Sequence, residues 1–448
     1  MENWGDNEDS ASYSIGVDLG ANVVVVAVAR GKDHYVAALG ESAPEMPASI
    51  FLGQDGDVLV GSDAEDAARH EPTLIARNFR HSIGIDDPVV IGGQSYTAEA
   101  LAAATLRTIV DRIAKFEGGP PRQIAFAVPD HWGPSRRERL SEAFWNGGVG
   151  DVLLVPATEA AAVRHDHLDR LVVGSNVLVF HFDDDSFTAT VQNRTVNGLK
   201  VAGEPVVRDG LGQQVNRELL SFVLSLLGDR LKGVDPDALE VNAALLEMER
   251  ELTSAKRILA VEEGTGIHVP IPGSRTTMWL TRTRLEQTIV PIVEEALEAT
   301  RQAVEGAYLA FDQIDLIVMS GENARLPLVL NRVETEFRCQ LAAEMEPGYT
   351  VALGAARAAA AMPSGQASFE LSPPVAQVAS ATGYHGLAQT TSQTLSRVAR
   401  SRVSMVILVV LAIEIGLSIG LLLREREPEP AEPPSQILVS PGARSQSG

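Results

Sequence analysis

The chain has 448 residues, 45% of them hydrophobic, which is enough for a sizeable core and more than one average domain. A formal net charge of −22 repels phosphate backbones and argues against nucleic acid as a partner. The single cysteine, Cys339, excludes a disulfide framework and a thiolate metal site.

Residues 1–12 are polar and acidic, with neither the basic nor the apolar region of a signal peptide. They read as a disordered start to a cytoplasmic domain. SIGVDLGANVVVVAVAR (14–30) reads as a strand, a glycine turn and a second strand. From Thr97 to Phe116 the apolar residues follow a helical period that ends at GGPP. QIAFAVP (123–129) is a buried strand stopped by Pro129. SNVLVFHF (175–182) and FTATVQ (187–192) make a second strand pair, and its recurrence predicts a duplicated fold. Periodicity places long helices over 237–262 and 282–311. IDLIVMS (314–320) is another buried strand, followed by GENARLP, and TVALGAARAAA (350–360) is a helix of small residues.

After this folded region, 13–362, residues 363–402 are rich in Ser, Thr, Gln, Ala and Pro and read as a flexible linker. No second folded domain fits between it and the next segment, VSMVILVVLAIEIGLSIGLLL (403–423). That segment has 21 residues and one charge, Glu414. At about 1.5 Å per residue it spans a ~30 Å hydrocarbon core, so a single transmembrane helix is expected. Arg397, Arg400 and Arg402 precede it, while Arg424 and Arg426 follow among Glu425 and Glu427. This bias puts the folded domain in the cytoplasm and the tail, 424–448, outside as a disordered segment. Gly416 and Gly420 form a G-x-x-x-G face suited to a helix partner or a second copy. Glu414, near mid-bilayer, is expected to be neutral or paired.

The candidate chemistry starts at the first turn, Asp18-Leu19-Gly20-Ala21-Asn22. Glycine lets backbone amides approach an anion, and a carboxylate at the strand end can hold Mg²⁺ through its waters. Taken alone, the turn reads as an ordinary hairpin turn.

The order of the blocks carries more. IGVDLGAN, PASIFLGQDGDVLVGSDA (47–64), FAVPDHW (126–132), LLVPATEAAAV (153–163), DGLGQQVNREL (209–219), LTSAKRILA (252–260), VMSGENARLP (318–327) and EPGYTVALGAA (346–356) run collinearly. In this order they resemble the ATPase domain of DnaK-type heat-shock chaperones, within the actin and sugar-kinase superfamily. The resemblance implies an α/β fold: a duplicated, actin-like (ribonuclease H-like) domain of two lobes around a cleft. It also implies adenine nucleotide, ATP or ADP, with Mg²⁺. Asp18 and Arg80 would be catalytic, with Asp18 the metal residue. Gly20, Ala21, Asn22, Gly212, Lys256, Arg257, Gly321 and Arg325 would bind the nucleotide.

The departures from the family pattern are specific. The family's second phosphate loop, Asp-Leu-Gly-Gly-Gly-Thr-Phe-Asp, stands here as His181-Phe182-Asp183-Asp184-Asp185-Ser186-Phe187-Thr188. Three carboxylates near a polyanion repel it by about 1 kcal/mol per pair even in water; close together, they also suit a hard cation. The family's phosphate-contacting lysine is Arg80, its threonines in the first loop are Ala21 and Asn22, and the second glycine of its adenosine loop is Glu322. The sequence therefore predicts a membrane-anchored, chaperone-like protein that holds ATP or ADP, hydrolyses it weakly or not at all, lacks a peptide-binding domain, and assists a membrane or envelope complex. Two alternatives stay open: a nucleotide-independent scaffold, or pseudo-ATPase, and an actin-type filament.

Overall fold

The structure is a computed structural model that describes residues 12–362 except 41–43, 169, 232–233, 236–237 and 274. The expected linker, transmembrane segment and tail lie outside the described residues. Among the described residues no helix is long and apolar enough to cross a membrane.

Two sheets organise the chain. In the first, Ser14–Leu19 pairs antiparallel with Val23–Arg30, which pairs antiparallel with Asp33–Val36. On its other side Ser14–Leu19 runs parallel to Gln123–Val128, which runs parallel to Val152–Pro156. The second sheet repeats this plan. Asn176–Phe182 pairs antiparallel with Phe187–Thr195, and that strand with Gly198–Arg208. Asn176–Phe182 also runs parallel to Leu316–Ser320, which runs parallel to Leu341–Ala343. The same sequence of two antiparallel and two parallel pairings in each sheet is the expected duplication. Both hairpins arise from β-branched and aromatic runs broken by a short polar turn.

Two helices of small residues lie between the sheets: Ala157–His167 and Thr350–Ala360. Ala160, Ala161, Ala162, Ala355, Ala356 and Ala359 are buried there together with Val155, Val179 and Val318. The crossing is close. A Cβ on Gly354 would lie 1.7 Å from the Ala160 carbonyl oxygen, and one on Gly16 would lie 2.1 Å from the Ala356 nitrogen. Only glycine permits such backbone contact.

The long helices form where periodicity puts them, with physical reasons for their ends. Ala98–Glu117 is capped by Thr97, whose hydroxyl accepts from the Ala100 amide at 3.2 Å, and stops at Gly118 with φ 83°. Leu239–Val261 lies within the expected 237–262. The helix expected over 282–311 ends at Gly306, because Tyr308 takes φ 58°, and Phe311–Gln313 forms a separate 3₁₀ turn. Each lobe has its own apolar core, one around Ile15, Leu106 and Phe144, the other around Phe180, Leu285 and Val329.

Candidate functional site

The turns of the two hairpins face each other across the cleft, and the second turn is built around its own carboxylate. Asp183 Oδ1 accepts the amides of Asp185 at 2.8 Å and Ser186 at 2.6 Å, and the Asp183 amide donates to the Ser186 carbonyl at 3.1 Å. Two successive amides that a glycine loop would offer to an anion are thus already occupied by an anion from inside the chain. Two glycines bring neighbouring backbone onto this turn. A Cβ on Gly212 would lie 2.2 Å from the Asp183 carbonyl oxygen, and one on Gly321, at φ 91°, would lie 2.5 Å from the Phe182 carbonyl. Asn323 closes the back by donating to the Asp183 carbonyl at 2.7 Å.

Two cations, Arg80 and Lys256, then pair with the three aspartates. Asp183 Oδ2 lies 3.3 Å from Arg80, and Asp185 lies 2.6 Å from the same guanidinium, which also donates to the Leu19 carbonyl of the first turn at 3.2 Å. Asp184 pairs with Lys256 at 2.7 Å and accepts from Asn22 of the first turn at 2.9 Å; Lys256 also donates to Asn323 at 3.1 Å. His81 sits 3.2 Å from Asp185. Farther along, Arg257 pairs with Glu322 at 2.8 Å and with Glu45, which also accepts from Tyr349. Arg325 pairs with Glu346 at 2.9 Å and with Glu322 at 3.5 Å.

The charges respond to this packing. Burial would raise Asp183 and Asp184, yet both are held below the ordinary carboxylate range: Asp183 by His181 and Arg80, Asp184 by Lys256 and Asn22. Burial raises Asp185, helped by Asp183; Arg80 and His81 oppose this and do not outweigh it. Asp18 is pushed up to about 6 by burial, against the pull of Arg80 and His181. His181 is raised because the carboxylates of Asp183, Asp130 and Asp18 outweigh its burial, while burial lowers His81.

The nucleotide-site residues singled out from the sequence are near one another, while Glu414, Gly416 and Gly420 lie outside the described residues. Gly20, Ala21 and Asn22 make the first turn, and the Gly20 amide donates to the Val23 carbonyl at 2.9 Å. Gly212 and Gly321 pack on the second turn, and Lys256, Arg257 and Arg325 line the far end of the cleft. Asp18 and Arg80 line a cavity with Asp130, His181, Asp183 and Thr188. Five contributors escaped the sequence reading: Glu45, His81, Asp130, Asn323 and Tyr349. Asp130 follows Pro129 directly within FAVPDHW and Asn323 lies inside GENARLP, so both sat within segments already marked by motif. Tyr349 likewise lies inside EPGYTVALGAA, whereas Glu45 carried no local signal.

A model of the Hsp70 protein family matches residues 14–91 and 87–372. The chain belongs to the Hsp70 family. In that family the domain matched here is a chaperone-like ATP-binding domain, which takes ATP or ADP with Mg²⁺.

The residues of this chain do not fit those groups. The cavity at Asp18 and Arg80 measures about 10 Å³, and so does the one bounded by Asp184, Thr253, Lys256, Arg257, Glu322 and Arg325. Each has room for roughly one water molecule. The donors a phosphate would need, Arg80, Lys256 and the amides of Asp185 and Ser186, are engaged by carboxylates. For Mg²⁺ the difficulty is geometric. Asp183 and Asp185 turn to Arg80 while Asp184 turns to Lys256, and among the described residues no group of three or more His, Cys, Asp or Glu side chains could hold a metal ion.

Proposed function

We propose that this chain is a nucleotide-independent Hsp70-type body, a scaffold whose cleft is filled by its own side chains, tethered to a membrane by residues 403–423. The observation that carries the reading is the turn at Asp183–Asp185. Its first carboxylate takes the amides of an anion cradle, and the other two lie against Arg80 and Lys256. Displacing these pairs would strand buried charges, at about 3–5 kcal/mol for each partner removed. The family resemblance alone favours ATP or ADP held with weak or absent turnover, and Asp18, Gly321 and Arg325 remain in place for it. The acidic occupancy of the phosphate end weighs against that reading. Tethering rests on the length and apolarity of 403–423, and a role in organising a membrane or envelope complex rests on the tether.

A thermal melt of the full chain with 1 mM Mg-ATP tests this. A site with a dissociation constant of about 10 μM would add ~2.7 kcal/mol and raise the midpoint by roughly 3–4 °C. The scaffold reading expects no shift, and a shift of that size returns the chain to nucleotide binding.

A further inference from the structure

The acidic turn does more than exclude a ligand, because its partners lie on the opposite lobe. Asn22, Arg80 and His81 belong to the lobe of the first sheet, while Asp183, Asp184 and Asp185 belong to the second. Asp184 is the keystone. One oxygen accepts from Asn22 across the cleft at 2.9 Å, and the other is held by Lys256 of its own lobe at 2.7 Å. Its side chain is 8% exposed and that of Lys256 is 5% exposed, so this bridge is shielded from solvent. At the outer rim Arg257 crosses to Glu45, and Arg250 reaches Glu65 at 3.6 Å. The polar ties between the lobes therefore run from the acidic turn to the rim, with the strongest burial at the turn.

We propose that Asp184 and Asp185 act as a built-in ligand, a clasp that holds the two lobes closed in the place where a bound anion would bridge them. The clasp rests on the reading of a nucleotide-independent cleft and deepens it, since it says what keeps such a cleft shut. Mutual attraction of buried charged pairs is strong only while both partners stay in place. Removing these two carboxylates leaves Lys256 without its ion-pair partner and Arg80 with only the longer contact to Asp183 at 3.3 Å across the cleft, which favours separation.

The test is amide hydrogen exchange on the full chain, comparing the unmodified protein with Asp184→Gly/Asp185→Gly and with Asn22→Ala/His81→Ala. The second variant changes only the opposite lobe and leaves the acidic turn intact, so it reads the clasp even where the first fails to fold. Hydrogen bonds to charged groups are worth enough that exchange should accelerate by ~10-fold or more. The acceleration is expected on both lips together, at 79–82 and 255–258 and also at the rim near 44–47. Glu336→Gln breaks a pair with Arg301 outside the cleft and should leave these amides unchanged. Faster exchange confined to 183–186, or none, overturns the clasp. Mg-ATP added to the unmodified protein separates the two claims. Binding there defeats the nucleotide-independent reading, while no binding combined with closed variants defeats the clasp alone.

Discussion

Lys256 shows most clearly what one side chain does in this cleft. It is 4% exposed, and its ammonium has Asp184 and Asn323 within hydrogen-bonding distance. Lys256→Met leaves the Asp184 carboxylate buried without its cation, with only Asn22 donating to it, and the chain should lose about 3–5 kcal/mol in urea unfolding, whereas the paired change Lys256→Met/Asp184→Leu should recover most of it. Asp18 makes a prediction of opposite character. Its carboxyl is raised from 3.8 to about 6, so in that window the folded chain keeps a proton that the unfolded chain has released. The stability it contributes is complete below about pH 4 and is lost as the pH rises toward 6. Asp183 and Asp184, held low, act the other way and lose their contribution as the pH falls below the ordinary range. Asp18→Asn should remove the decline between pH 4 and 6, seen as a flatter urea midpoint across that range. The size is at most ~3 kcal/mol, reduced by the screening that partial exposure allows. The sequence made the aspartates conspicuous as losses of glycine, because a motif position is legible residue by residue. Their partners were not legible, since Asn22 and Asp184 are 162 positions apart and only the fold brings them together.

At the scale of elements, glycines hold the site by what they leave out. Gly321 combines φ 91° with contact on the Phe182 backbone, so Gly321→Ala adds both strain and overlap. It should cost about 3 kcal/mol and loosen the turn that carries Asp183. Gly354→Ala forces apart the two helices between the sheets and should destabilise the whole fold by at least as much, measured as a drop in thermal midpoint. The hairpins, the long helices and the small-residue helix were readable because each has a strong local period or composition. The edge strand Gly198–Arg208 was not, since it alternates weakly and carries Gly203 and Pro205; neighbouring strand Phe187–Thr195, not its own pattern, makes it a strand. The overlong helix at 282–311 missed a stop that depends on the positive φ of Tyr308, for which tyrosine gives no warning.

For the whole molecule, two repeated sheets create a cleft, and this chain closes it from within. The duplication was visible as a recurring strand pair, and the family was visible as an order of motifs. The filling of the cleft needed the fold, because it depends on which carboxylate meets which cation. Residues 403–423 add a prediction at this scale. The full chain should sediment with membranes and resist extraction by carbonate, and deleting 403–448 should release it; recovery of the full chain in the soluble fraction would remove the tether from the account. The central claim concerns the cleft itself. Its most direct measurement is titration calorimetry of the full chain with ATP and with ADP, each with and without Mg²⁺. The account predicts no binding up to about millimolar nucleotide, the level that corresponds to roughly −4 kcal/mol. Binding in the micromolar range would contradict it, because a nucleotide would then be displacing the pairs made by Asp183, Asp184 and Asp185.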